Sequence, residues 1–200
     1  NDTTTTGYNK PVMLDVLAND QFEGANPKVT HVNGTSITAS GGAVTVANGS
    51  VKLLANGQLE FTPNAGFTGD ANFSYTAKTD TGVAENADVT VKVNANQAPE
   101  ATDPNIDPSN PIYPDQSFDP ATGDYAVTGT EDVPVSGKVT GTDVDGDTLT
   151  YNKGSDPSNG IVVVNPDGSY TYTPNKDFNG SDSFTVVISD GNGGTTTSTI

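Results

Sequence analysis

Gly57-Gln58-Leu59-Glu60-Phe61-Thr62-Pro63-Asn64-Ala65-Gly66-Phe67-Thr68-Gly69 recurs, without a gap, as Gly168-Ser169-Tyr170-Thr171-Tyr172-Thr173-Pro174-Asn175-Lys176-Asp177-Phe178-Asn179-Gly180. The offset is 111 residues. The correspondence runs on: Phe73 aligns with Phe184, Asp80 with Asp190 once one gap is closed, and the Thr/Val-rich final strand of the first copy with Thr195 to Ile200. Upstream, Pro11-Val12 to Asp20 matches Pro134-Val135 to Asp143 at an offset of 123, so the first copy carries 12 extra residues in its middle hairpins. Two copies of one module is therefore the first organisational statement.

Each copy is patterned as strands. Ala71, Phe73, Tyr75 and Ala77 alternate with Asn72, Ser74 and Thr76, and Phe184, Val186 and Ile188 alternate with Thr185, Val187 and Ser189. A period of two is that of a half-buried antiparallel strand. Ala43 to Leu53 reads as a hairpin about Asn48-Gly49, whose residue types suit the positive φ angles of a type I′ turn. Asn56-Gly57 and its counterpart Asp167-Gly168 mark the next turn. About seven short strands per copy, separated by turn signals, predict an all-β chain of two tandem Ig-like or cadherin-like β-sandwiches.

Composition agrees. Valine (21) far exceeds leucine (6), threonine reaches 29, and 22 Gly, 20 Asn and 13 Pro supply turns. The 25 acids, 20 of them Asp, face 8 lysines and no arginine, for a formal charge of −17. Such a chain repels phosphate backbones and anionic membrane surfaces, so neither nucleic-acid binding nor direct membrane insertion is expected, and no run approaches the ~20 apolar residues of a membrane helix. With no cysteine there are no disulfides, thiolate zinc sites or cysteine nucleophiles, and one histidine cannot build a His-rich metal site. The partner left by elimination is a hard cation such as Ca²⁺. Asn1-Asp2 starts abruptly and Ile200 stops inside a strand-like run, which reads as an excised fragment.

Three segments follow: a first domain over 1–95, a Pro/Asp-rich linker over 96–124, and a second domain over 125–200. The linker holds Pro99, Pro104, Pro108, Pro111, Pro114 and Pro120 together with Glu100, Asp103, Asp107, Asp115, Asp119 and Asp124. Proline fixes φ and removes a donor, giving an extended, semi-rigid connection. A disordered linker is one reading. Tyr113, Phe118 and Tyr125 favour the other, a segment docked on the second domain.

The sharpest chemical signal is Thr142-Asp143-Val144-Asp145-Gly146-Asp147-Thr148. Carboxylates at alternate positions, Asp143, Asp145 and Asp147, can converge on one Ca²⁺, which takes six to eight oxygens. The loop is not an EF-hand, because the glycine falls at the fourth position and no Glu lies twelve along. It also reads as a plain acidic β-turn. Glu131-Asp132 before Pro134, and Ser189-Asp190-Gly191-Asn192-Gly193-Gly194 after a late strand, add acids in the same copy and weigh toward metal. His31 falls at the repeat position of Tyr151 and reads as a strand residue. No Ser or Thr has a histidine partner in both copies, so a serine nucleophile is not expected. Paired carboxylates for glycoside hydrolysis are not excluded by the sequence. Their clustering in turns argues against an enzyme.

The order Glu131-Asp132…Asp143-Val144-Asp145-Gly146-Asp147…Leu149-Thr150-Tyr151…Asp167-Gly168-Ser169-Tyr170-Thr171-Tyr172-Thr173-Pro174…Phe178-Asn179-Gly180-Ser181-Asp182-Ser183-Phe184…Asp190-Gly191 resembles the bacterial cadherin-like repeats. These are Ig-like extender modules of large, type I-secreted (RTX-type) surface adhesins. The first copy resembles them more loosely, through Val16-Leu17-Ala18-Asn19-Asp20 and Phe61-Thr62-Pro63-Asn64. The resemblance implies Ca²⁺ at domain junctions, held by Asp143, Asp145 and Asp190 with the Asn96-Gln97-Ala98-Pro99 element. It further implies Glu131 and, more weakly, Asp177 and Asp182 at the far pole, facing a neighbouring repeat. The first copy departs: Tyr8-Asn9 stands for Glu131-Asp132, Phe22 for Asp145 and Gly24 for Asp147.

The expectation is a non-enzymatic extender of an extracellular bacterial-surface adhesin, of the kind that serves cell adhesion and biofilm formation. It would be stiffened by Ca²⁺ and partnered by neighbouring Ig-like repeats of its own chain, with host or surface ligands bound through other domains. The alternative is a binding module for a carbohydrate or protein ligand, carried by the divergent first copy or the linker. Residues 1–94 hold nine acids and five lysines, while 95–200 hold sixteen acids and three lysines, so the demand for a cation is concentrated in the second half.

Overall fold

The computed structural model describes residues 1–105 and 112–200. Asp107, Pro108 and Pro111, counted above in the linker, lie outside the described residues. Two compact units divide the chain, Asn1–Ala95 and Asn96–Ile200. Among the described residues there are strands and turns and no helix.

Unit 1 holds β1 (Asp2–Thr6), β2 (Val12–Leu14), β3 (Lys28–Val32), β4 (Thr35–Ser36), β5 (Val44–Val46), β6 (Gly49–Leu53), β7 (Leu59–Pro63), β8 (Gly69–Lys78) and β9 (Ala84–Val93). One sheet has the order β1-β9-β8-β3-β4 and the other β2-β7-β6-β5. β8 and β9 pair antiparallel from Gly69↔Val93 to Lys78↔Ala84. β1 runs parallel on the other side of β9, from Asp2↔Val89 to Thr6↔Val93. The period-two pattern of β8 does what it predicts: Ala71, Phe73, Tyr75 and Ala77 are buried. They meet Leu59, Phe61 and Val51 from the other sheet in one core, where the Phe61 and Phe73 rings stack at 6.0 Å.

The hairpin at Asn48-Gly49 closes one residue earlier than its dipeptide implies. Val46 pairs with Gly49, so Ala47 and Asn48 form the turn. Asn48 alone takes the left-handed conformation, at φ 66°. Gly49 is already in β6, and packing explains its identity. A Cβ there would lie 2.5 Å from the Thr62 carbonyl oxygen and 2.6 Å from the Phe61 ring.

Unit 2 holds β10 (Glu100–Thr102), β11 (Gln116–Asp119), β12 (Asp124–Val127), β13 (Val135–Lys138), β14 (Thr140–Thr142), β15 (Thr150–Ser155), β16 (Gly160–Val164), β17 (Ser169–Pro174), β18 (Thr185–Ser189) and β19 (Thr195–Thr199). Its sheets are β13-β17-β16 and β15-β18-β19, with the two-stranded pairs β10-β14 and β11-β12. Its core gathers Tyr125, Val139, Tyr170, Phe184, Val186 and Ile188.

The described parts of the proline-rich stretch belong to this unit. Gln116 is buried and replaces a strand edge: its Nε2 donates to the Lys138 carbonyl (2.7 Å), and its Oε1 accepts from the Lys138 amide (2.9 Å) and the Tyr170 hydroxyl (2.8 Å). Asn105 Nδ2 donates to the carbonyls of Tyr113 and Gln116. Phe118 packs on Tyr125 with ring centroids 5.0 Å apart. Nine and ten strands exceed the expected seven or so; β4 is a two-residue addition in unit 1, and β11 comes from the insertion and pairs with β12 in unit 2.

Candidate functional site: the acidic loops of unit 2

The loop after β14 is wound around one carboxylate. Asp143 Oδ1 accepts from the amides of Asp145 (2.8 Å) and Asp147 (3.3 Å), and Gly146, at φ 72°, lets the chain turn back. Asp and Gly types are selected here because the side chain replaces a backbone turn acceptor. The Asp143 side chain then has one oxygen left. That atom, Oδ2, is buried and has no hydrogen-bond donor.

The loop between β18 and β19 contributes Asp190, which is 4% exposed. Its Oδ1 accepts from the amides of Asn192 (2.7 Å) and Gly194 (3.0 Å), and its Oδ2 from Asn96 Nδ2 (2.7 Å). Burial alone would raise this carboxyl; the donors from Asn96, Asn192 and Gly194 outweigh it and hold it below the usual carboxylate range. Because Nδ2 of Asn96 is spent on Asp190, its Oδ1 is fixed in the opposite direction. Asn96 Oδ1 is likewise buried and without a donor.

Two further links tie the loops together. The Gln97 amide donates to Asp145 Oδ2 (2.8 Å), and Asn192 Nδ2 donates to Asp147 Oδ2 (2.8 Å). The structure thus joins Asn96, Asp143, Asp145, Asp147 and Asp190 in one connected network within unit 2. Sequence reasoning did not single out Asn192 or Gly194. A Cβ on Gly194 would strike Asp190 Oδ2 and lie 2.9 Å from the Ala98 Cα and 3.0 Å from Asn96 Nδ2. The Gly193-Gly194 pair was the available signal. The lysines of this unit sit on other acids: Lys138 on Asp167 (3.7 Å), Lys153 on Asp156 (2.5 Å) and Lys176 on Asp177 (3.3 Å).

The chemistry of such a set is narrow. Its side-chain acceptors are all oxygen, which suits Ca²⁺ or Mg²⁺ and not a thiolate- or imidazole-seeking metal. A buried oxygen with no donor costs about 1–3 kcal/mol. Two of them facing acidic loops is an arrangement that a hard cation relieves. Asn96 Oδ1 and Asp143 Oδ2 are the oxygens here open to such an ion, while among the described residues the group of three acids whose oxygens lie within 4.8 Å of one another is Glu131, Asp132 and Asp177, not one drawn from Asp143, Asp145, Asp147 and Asp190.

The other two candidate residues lie at the opposite end of β18. Glu131, Asp132 and Asp177 each present an oxygen within 4.8 Å of the others, all three exposed. Asp132 Oδ1 accepts from the Asp177 amide (2.8 Å). Asp182 is outside that group. Its carboxylate accepts from the amides of Ser158 (2.9 Å), Asn159 (2.7 Å) and Ser183 (2.9 Å), and from the Tyr172 hydroxyl (2.9 Å). Burial would raise it, and these donors hold it low. The Tyr172 hydroxyl is pushed up to about 12 by burial and by Asp182. Asp182 thus pins the β15–β16 connection to β17 and is separate from the Glu131 group.

In unit 1 the equivalent positions are used differently. Asp20, which aligns with Asp143, accepts at 2.5 Å from the Tyr75 hydroxyl, which also reaches the Val16 carbonyl at 2.7 Å. Asp80, the partner of Asp190, accepts from Asn26 Nδ2 at 2.6 Å. His31 pairs within the sheet through β4 and β8, its ring on Thr30 Oγ1.

Comparison with known proteins places both units. The family model described as bacterial Ig domain matches residues 1–94 and 115–200. No curated protein matches the sequence. Among solved structures, an endo-fucoidan hydrolase of glycoside hydrolase family 107 is similar at 17% identity and a TM-score of 0.29, over 98% of this chain and 31% of that one. The titin domains Z1Z2, solved in complex with telethonin, are similar at 14% identity and 0.37, over 99% and 89%. The protocadherin γB4 extracellular domain is similar at 13% and 0.32, over 98% and 32%. The chain spans about a third of the length of the fucoidan hydrolase it matches.

Proposed function

We propose that this chain, which belongs to the bacterial Ig domain family through both of its units, is a non-enzymatic extender segment of a bacterial cell-surface adhesin, and that its second unit binds Ca²⁺. The tandem of two family members is the coarse ground for an extender. The observation that carries the calcium reading is the pair of buried, donorless oxygens, Asn96 Oδ1 and Asp143 Oδ2.

Asn96, Asp143, Asp145, Asp147 and Asp190 would hold the ion. When bound, Ca²⁺ supplies charge neutralisation and a cross-link between loops. The chain's own residues prepare that role. Asp190 orients Asn96, the amides of Asp145 and Asp147 fix Asp143, and the Gln97 amide draws Asp145 toward the leading segment of the unit. Because the network does not exist in the unfolded chain, binding free energy becomes folding free energy of unit 2. An extracellular location accords with this reading, since extracellular modules bind Ca²⁺ with Kd of about 10⁻⁴–10⁻³ M.

The test is scanning calorimetry of the 200-residue chain in excess Ca²⁺ and in chelator. The unit 2 transition rises with Ca²⁺ on this reading. A midpoint that does not move refutes the calcium role.

A further inference from the structure

β16 is the edge strand of its sheet, whose order is β13-β17-β16. Its repeat counterpart in unit 1, at the offset of 111, is β6, which lies inside its sheet in the order β2-β7-β6-β5. There β5 covers the edge, from Val44↔Val51 to Val46↔Gly49. Unit 2 has no strand in that place. Residues 156–159 alone join β15 to β16, whereas residues 33–48 join β3 to β6 and include β4 and β5.

The bare edge carries main-chain bonding groups. Asn175 N donates to the Asn159 carbonyl and Asn165 N to the Ser169 carbonyl, each at 2.8 Å. Antiparallel pairs alternate, so Ile161 and Val163 also spend their main-chain groups on β17, and those of Gly160, Val162 and Val164 point away from it. Among the described residues no other strand pairs with that side.

The side chains differ in step with the cover. On the outward face β6 carries Ser50 and Lys52, and β16 carries Ile161 and Val163, 68% and 59% exposed. Sheets blunt a bare edge with lysine, proline or a bulge. Here the covered strand has the lysine and the bare strand has the aliphatic residues.

We propose that this edge pairs with the same edge of a second copy of the chain, β16 against β16, antiparallel about Val162. The strand is its own complement. In that register Val162 meets its own counterpart and Gly160 meets Val164, so every outward amide finds a carbonyl. Ile161 stands across from Val163 in a non-hydrogen-bonded pair, where Cα atoms come within about 4.5 Å and side chains are closest. The contact is isologous and closes on itself as a dimer.

Charge selects the same place. Residues 157–166 hold no charged side chain, in a chain whose formal charge is −17. The acids that flank this run are each met by a lysine of their own copy, Asp156 by Lys153 (2.5 Å) and Asp167 by Lys138 (3.7 Å). Two acidic molecules can therefore approach here with little repulsion. One strand pair buries less than the ~1,200 Å² of a standard interface, so the dimer is weak and exchanging. It uses none of the acidic-loop residues and does not rest on calcium.

The test is sedimentation equilibrium of the 200-residue chain in chelator, from about 10 μM to about 1 mM, the range in which a weak interface fills. The weight-average mass rises from 20.5 kDa toward twice that value, and exchange of the Val162 and Val164 amides slows severalfold over the same range. The chain with Ile161→Ser and Val163→Lys, which gives β16 the outward residues of β6, keeps the unit 2 melting transition and stays monomeric. Register is read by cysteine, which the chain otherwise lacks: mixed Ile161→Cys and Val163→Cys chains form a disulfide-linked dimer faster than either does alone. A chain that is monomeric throughout overturns the proposal. So does a dimer that survives the double substitution, or a cysteine mixture that links no faster than its components.

Discussion

Asp190→Asn separates the two roles given to this residue, because it removes the charge and keeps the shape. The carboxylate receives three donors: Asn192 N and Gly194 N on Oδ1, and Asn96 Nδ2 on Oδ2. The substituted amide can keep its oxygen on the two backbone amides, now as neutral hydrogen bonds. Its nitrogen then faces the nitrogen of Asn96. The clash is relieved if the Asn96 amide turns over, but that removes Oδ1 from the position in which it is buried without a donor. Hydrogen bonds to charged groups are worth about 1.5–3 kcal/mol against about 1 for neutral ones. Losing the charge and reorienting Asn96 should cost unit 2 about 2 kcal/mol without metal. For a domain of this size that is a fall of about 8–16 °C in Tm.

The calcium term is separate. A ligand at one hundred times its Kd adds about 2.7 kcal/mol to the folded state. Wild type should show that increment between chelator and saturating Ca²⁺, and Asp190→Asn should show none, having lost a carboxylate and the Asn96 oxygen together. Calorimetry in both buffers, with calcium titration calorimetry alongside, reads both quantities. A variant that keeps the full calcium increment refutes the placing of Asp190 and Asn96 in the site. A variant whose Tm in chelator equals that of wild type refutes the hydrogen-bond network itself.

Three more outcomes are expected. Gln116→Ala leaves the amide and carbonyl of Lys138 and the Tyr170 hydroxyl without partners and should destabilise unit 2 by about 3 kcal/mol; a urea midpoint within error of wild type would show that the insertion is not structural. Gly49→Ala drives a methyl into the Thr62 carbonyl and the Phe61 ring, at about 1–3 kcal/mol for overpacking, and its effect should be confined to the unit 1 transition. Asp190 and Asp182 both titrate below the ordinary carboxylate range, so in acid the unfolded chain binds more protons than the folded one. Their stabilisation is complete above about pH 4 and is lost as pH falls through the lower folded values. A denaturant midpoint that rises on going from pH 5 to pH 3 in chelator would contradict this.

Much of the fold was legible because its signals are local. The period-two alternation in Ala71–Ala77 and Phe184–Ile188 requires only the pleat, and the repeat carried the assignment from one copy to the other. The Asp143-Asp145-Asp147 loop was legible for the same reason: its spacing encodes its own turn. What escaped depends on long-range register. Nothing local tells that Gln116 would act as a strand edge for Lys138, which lies on the far side of a hairpin. Nor does Asn48-Gly49 reveal that the Phe61 ring, twelve residues on, claims the glycine for packing. Asp182 and Glu131 looked alike as acids near the far pole. Only the fold separates one saturated by backbone donors from one standing free of them beside Asp132 and Asp177.

One side-chain difference adds to the replacement of Asp145 by Phe22 and of Asp147 by Gly24 in the contrast between the copies. Asp20 and Asp143 occupy the same repeat position. The residue facing the first is Tyr75, and the repeat places Val186 where Tyr75 stands. Tyr75 brings a hydroxyl to Asp20, and burial, together with Asp20 and the nearby Asp2, raises the phenol so that it stays a donor at every physiological pH. In unit 1 the carboxylate therefore has a hydrogen-bond donor from within the chain. Val186 has no hydroxyl to give, and Asp143 Oδ2 is left buried without a donor. The same scaffold position is met by a hydroxyl of the chain in one unit and by no such donor in the other.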